Sequence, residues 1–134
     1  MDSITSHKDL VVWRFAIVLA GKVYAATANL PREEVFGLGV QLRRAAVSIP
    51  SNIAEGSARR HRAEFIQHLH IARGSLAELE TQLMIAGQQH LITDWESLLH
   101  DLSHIGRLLN SLIRRLSERR PPTGLSCQPL TANR

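Results

Sequence analysis

Two histidines, His100 and His104, stand four residues apart, a spacing that places both imidazoles on one face of a helix. Such a pair is the beginning of a zinc site, which needs a third ligand. The nearest candidate, Asp101, belongs to the other side of the same helical turn. The pair instead continues through Arg107, Ser111 and Arg114 as one polar outer stripe. That stripe reads as a solvated face by default and as a phosphate-contacting face in its functional reading. Glu80 is the one carboxylate whose spacing from Leu76 and Leu83 puts it near an apolar stripe, whereas Glu78 points outward. A buried carboxylate needs a partner or a proton. Arg43, Arg44 and Arg73 are the available cations, so a structural ion pair is expected there. A general base would need a second carboxylate or a nucleophile, and none accompanies it.

The arginines carry the stronger signal. Lys and Arg number 16 against 12 Asp and Glu, and the excess is uneven. From Arg107 onward there are six arginines and one acid, Glu118, whereas residues 1–106 hold ten basic and eleven acidic side chains. Arg114, Arg115, Arg119 and Arg120 thus form a local positive field. It suits a polyanion partner, and equally it complements the dipole at a helix C-terminus. A second cluster, Arg59, Arg60, His61 and Arg62, precedes another helix, where basic side chains reinforce anion binding by the backbone amides. No aromatic residue interleaves with these arginines, so stacking on single-stranded bases lacks support. The pattern fits contact with the backbone of duplex or folded nucleic acid. There is no phosphate loop, no Ser/His/Asp set and no Cys/His framework. No enzyme activity, cofactor or metal is expected.

Four helical patterns position these groups, and no strand-like alternation occurs. Aromatics are only 4% of residues, and the aliphatic remainder favours interdigitated helices. The first pattern runs from about Lys8 to Asn29 with Leu10, Trp13, Ile17, Ala20 and Tyr24 on one stripe. The second begins at Arg32-Glu33-Glu34 after Pro31 and carries Val35, Leu38, Leu42, Ala45, Ile49 and Ile53. The third carries Phe65, Leu69, Ala72, Leu76, Leu79, Leu83 and Ala86. The fourth carries Trp95, Leu98, Leu102, Ile105, Leu109, Leu112 and Leu116, with Thr93 or Asp94 as its cap. Short connections between them predict an all-α, antiparallel up-down four-helix bundle over residues 8–120. Residues 1–7 are expected to be a flexible N-terminus, and residues 121–134 a disordered tail. Pro50 lies inside the second pattern, where its missing N–H and its ring predict a kink. Ser48, Ser51 or Asn52 are placed to help satisfy the carbonyl of Ala46.

Two helices carry apolar residues beyond one core stripe. Val11, Phe15 and Val18 on the first, and Phe36, Val40 and Val47 on the second, predict a self-association surface, against a background of incidental surface hydrophobics. The single cysteine, Cys127, precludes an internal disulfide and fits a reducing compartment. No apolar run is long enough to span a membrane and the first residues do not form a signal peptide, so a cytoplasmic protein is expected.

The run Gln41-Leu-Arg-Arg-Ala-Ala-Val-Ser-Ile-Pro-Ser-Asn-Ile-Ala-Glu-Gly-Ser57, with Glu64-Phe65 and Ala72-Arg-Gly-Ser-Leu-Ala-Glu-Leu-Glu-Thr-Gln-Leu83, closely resembles the four-helix-bundle proteins encoded in 23S ribosomal RNA intervening sequences. Leu10, Val12-Trp13, Tyr24 and Leu30-Pro31 extend the match over about residues 8–116. The resemblance implies a small cytoplasmic bundle that assembles into a homopentamer. The chain is also similar to the accessory variability protein of diversity-generating retroelements, a basic pentameric bundle associated with nucleic acid and reverse transcriptase. One departure is His61, where the family often has a serine that forms a capping box with the acid at Glu64. The function expected is a non-enzymatic homo-oligomer binding structured RNA or DNA through its backbone. The alternative is a protein-interaction scaffold without nucleic-acid affinity.

Overall fold

Pairs of touching residues fix the topology. Asn52 meets His68, Ser48 meets Ser75 and Gln41 meets Gln82, so residue numbers rise along one helix as they fall along the next. The same opposition relates Arg73 to Asn110, Lys22 to Asp101 and Thr27 to Arg43. The computed structural model describes His7 and residues 10–118. It comprises α1 (Val11–Ala26), the single turn α2 (Arg32–Val35), α3 (Leu38–Ser57), α4 (Arg62–Gln88) and α5 (Trp95–Ser117). No strand occurs among the described residues. Each long helix packs on two neighbours, α1 on α3 and α5, and α4 on α3 and α5, while the backbones of the diagonal pairs stay apart. That is the antiparallel up-down four-helix bundle. Residues 1–6, Lys8, Asp9, Arg119, Arg120 and the expected tail lie outside the described residues.

The stripes of α4 and α5 pack as their spacing requires. Phe65, Leu69, Ala72, Leu79, Leu83 and Ala86 are buried against Leu98, Leu102, Ile105, Leu109, Leu112 and Leu116. Leu76 and Trp95 are partly buried at the rim of that core. Helix α3 contributes Leu42, Ala45, Ile49 and Ile53, as expected. The face of α1 is different from the expected one. Val12, Ala16, Leu19 and Val23 are buried, whereas Ile17 and Tyr24 are exposed and Trp13 and Ala20 lie at the edge. Helix α1 is apolar nearly all round, so spacing alone does not select the inward face.

Pro50 is buried inside α3, and the helix continues through it from Leu38 to Ser57. The interruption in the second helical segment falls at Phe36–Gly37, between α2 and α3, where Gly37 adopts φ −102° and ψ −104°. Around the proline, Asn52 Nδ2 donates to the Ser48 carbonyl at 2.9 Å and to Ser48 Oγ at 3.0 Å. Of the side chains expected to help the Ala46 carbonyl, Asn52 therefore bonds Ser48, and the Ser48 hydroxyl meets that of Ser75. Helix α4 starts at His61, which makes no side-chain capping bond, in keeping with the poor capping ability of histidine. Asp94 is the N-cap residue of α5, likewise without a side-chain bond. Helix α4 ends in a Schellman motif: Leu91 N–H donates to the Ala86 carbonyl at 2.9 Å and His90 N–H to the Gly87 carbonyl at 3.0 Å.

Candidate nucleic-acid interface

The antiparallel registers bring the two expected arginine clusters to one end of the bundle. Arg59, Arg60 and Arg62 occupy the connection from α3 to α4 and the first turn of α4. Arg114 and Arg115 occupy the last turn of α5, which runs down to that same end. Arg14, in the first turn of α1 and absent from the expected set, adds to the group. All six side chains are exposed. Glu55, Glu64 and Glu118 are the acids of this end. Arg59 Nη2 bonds Glu55 Oε2 at 3.0 Å, with both side chains about half exposed, so the pair is screened and contributes little to stability. Arg107 lies farther up α5 and donates to Ser103 Oγ at 3.0 Å. The opposite end carries Glu33, Glu34, Asp94 and Glu96 against Arg32. The bundle is thus polarised along its axis.

Helix dipoles explain only part of this arrangement. Two helix N-termini and two C-termini meet at the basic end, so their partial charges largely cancel. Arg114 and Arg115 complement the C-terminus of α5, and Arg59 that of α3. Arg62 stands in the first turn of α4, where a cation opposes the dipole by about 0.3–1 kcal/mol. The N-terminus of α4 and the surrounding guanidinium groups are hydrogen-bond donors of the kind that a phosphate backbone accepts from.

The expected ion pair is not formed. Glu80 is exposed beside Glu78, and the side chain that α4 buries is Gln82, 6% exposed. The cause is the close approach of α3 to α4, which covers the α3-facing flank of α4 and leaves Glu80 on the α5-facing flank in solvent. Arg43 donates to Thr27 Oγ1 at 3.1 Å and lies 5.7 Å from the centre of the Tyr24 ring. Arg73 donates to Asn110 Oδ1 at 2.8 Å, and Arg44 is exposed. A polar chain missing from the sequence reading crosses from α3 to α4. Ser75 and Ser48 hydroxyls stand 2.7 Å apart, Asn52 bonds Ser48, and His68 Nδ1 lies 3.2 Å from Asn52 Oδ1. Its one visible signal is the pair Ser48 and Asn52, one helical turn apart.

His100 and His104 do not converge on a third ligand, and no group of three metal-ligating side chains occurs among the described residues. His104 instead packs edge-on against Phe15, with ring centres 4.8 Å apart. That contact divides the expected association strip. Phe15 and Val18 line the α5 flank of α1, with Val11 exposed one turn before Phe15, while Val40 and Val47 join Tyr24 on its α3 flank. Phe36 lies at the end of the latter. No helix of the described residues is long and apolar enough to cross a membrane.

Residues 8–111 match the model of the 23S rRNA-intervening sequence proteins. The chain belongs to this family. A crystal structure from Bacteroides thetaiotaomicron, described as a protein of unknown function from the S23 ribosomal protein family, is 32% identical to this 23S rRNA-intervening sequence protein. The match covers 80% of this chain and 98% of that one, with a TM-score of 0.73. No protein with a curated description matches. The motif from Gln41 to Ser57 that carried the resemblance coincides with α3 and its buried Pro50.

Proposed function

We propose that this 23S rRNA-intervening sequence protein is a non-enzymatic homo-oligomer that binds structured RNA or DNA in the cytoplasm through phosphate contacts at its arginine-rich end. The resemblance to pentameric bundles makes five copies the expected number. The observation that carries the reading is the convergence of Arg59, Arg60 and Arg62 with Arg114 and Arg115 at one end of an otherwise balanced molecule. Backbone contact follows from Arg59, Arg60, Arg62, Arg114 and Arg115, with which no aromatic residue interleaves in sequence, so that they read charge and shape rather than base identity. The resemblance to the accessory variability protein, associated with nucleic acid, supports the same reading. Titration with duplex RNA at low and moderate salt tests it. Binding that weakens steeply with salt, and is lost when Arg114 and Arg115 become Ala, is expected. No binding at low salt would leave the interaction scaffold as the function.

A further inference from the structure

The end of the bundle away from the arginines opens into a cavity of about 590 Å³. It lies between the last turn of α1 and the first turn of α5, beside the connection from α4. Ala25, Ala26, Leu91, Ile92 and Leu98 give it an apolar wall. Asn29, Thr93, Asp94 and Ser97 share that wall, and their side chains make no hydrogen bond among the described residues. A few uncommitted polar groups on an apolar wall, in a space of roughly 300–1,000 Å³, are the features of a small-molecule site.

The charge at this cavity is negative. Lys22 reaches its edge, but Nζ is held 2.8 Å from Asp101 Oδ2, so that cation is already compensated. Asp94 pairs with no cation among the described residues and makes no side-chain capping bond. Glu96, in the first turn of α5, adds a charge of the same sign. Helix α1 ends where α5 begins, so their dipoles oppose each other and the two carboxylates set the sign. The last turn of α1 holds no basic side chain to offset its carbonyls.

We propose that this cavity is a binding site for a small amphipathic cation, a primary ammonium group carrying an aryl or alkyl body. The Asp94 carboxylate accepts from the ammonium group, and the hydrocarbon body lies against Ala25, Leu91, Ile92 and Leu98. A carboxylate on the same body would meet Asp94 and be repelled. A neutral alcohol would keep the apolar contact and lose the charge pairing. The 23 residues of α5, about 35 Å of helix, separate this site from the arginine-rich end, so the two readings stand or fall separately.

The test is calorimetric titration of the full chain at neutral pH with three probes of matched body: phenethylamine, phenethyl alcohol and hydrocinnamate. Two variants accompany the wild type. Asp94→Asn removes the charge and keeps a residue suited to a helix N-cap. Ala25→Phe fills the cavity from an exposed position. Circular dichroism checks that both retain their helix content. Phenethylamine is expected to bind most tightly and hydrocinnamate least. Asp94→Asn is expected to weaken phenethylamine by about fivefold and to leave phenethyl alcohol unchanged. Ala25→Phe is expected to abolish binding of both. Hydrocinnamate bound as tightly as phenethylamine, or Asp94→Asn without effect on the amine, overturns the proposal. Binding of the amine that survives Ala25→Phe places it elsewhere and overturns it too. Failure of all three probes to bind the wild type, as when another chain covers the cavity, also overturns it.

Discussion

Gly87 lies directly under the indole ring of Trp95, so close that a Cβ at position 87 would overlap the ring. This contact joins the end of α4 to the first turn of α5 and sets how the last two helices meet. Gly87→Ala is expected to destabilise the fold by about 1–3 kcal/mol, because Trp95 must leave its place. Urea denaturation of the two proteins checks the value. An unchanged midpoint would mean that the indole moves away without cost.

His90 occupies the left-handed position of the Schellman motif after α4, with φ 59°. Glycine is the usual residue there because it has no Cβ to strain. His90→Gly is expected to raise stability by about 0.5–1 kcal/mol, offset in part by the greater freedom of glycine in the unfolded chain. The thermal midpoint should rise by a few degrees; a fall would contradict the assignment of strain at this residue.

Gln82 is a buried polar side chain whose Oε1 has no hydrogen-bond partner among the described residues. Its Nε2 makes only long contacts, 3.5 Å to Gln41 Oε1 and 3.5 Å to Glu78 Oε2. Replacing it by a side chain of similar volume and no hydrogen-bonding demand removes that desolvation penalty. Gln82→Met is expected to be neutral or to stabilise by up to about 1–2 kcal/mol. Loss of stability above about 1 kcal/mol would show that Oε1 is satisfied in solution.

Asn52 holds the polar chain between α3 and α4, donating to Ser48 and facing His68. Asn52→Ala leaves His68 and the Ser48 hydroxyl with fewer partners in a partly buried seam. The expected cost is about 1–2 kcal/mol. Ser75→Ala removes only the 2.7 Å hydroxyl contact and should cost less. Comparing the two unfolding midpoints separates the central bond of the chain from its end.

The sequence showed the faces of α4 and α5 because their apolar residues recur at steps of three and four while polar side chains fill the intervening positions. The same rule failed on α1, where Val11, Phe15, Ile17 and Val18 surround the helix and only tertiary contacts select Val12, Ala16, Leu19 and Val23 for the core. Glu80 and Gln82 were equally ambiguous. Each flanks the stripe of Leu79 and Leu83, and which flank is covered depends on the neighbouring helix. The Ser48–Ser75 contact and Gly56, against which the ring of Phe65 and the Cβ of His68 pack, draw α3 close to α4, so Gln82 is the one enclosed. The arginine clusters were visible as composition. Their convergence was not, because it depends on the alternating direction of the helices.

The most direct test of the arginine-rich end is the salt dependence of binding to a short nucleic-acid duplex. It compares the wild type with a variant in which Arg59, Arg60, Arg114 and Arg115 are all Gln. Each phosphate contact releases a counterion, so log K falls with log salt by roughly 0.9 per contact on B-form DNA. The wild type is expected to bind at low salt with a steep slope, and the variant to lose roughly 3–4 units of that slope together with most of its affinity. Equal slopes and equal affinities for the two proteins, or no wild-type binding at low salt, would contradict the account.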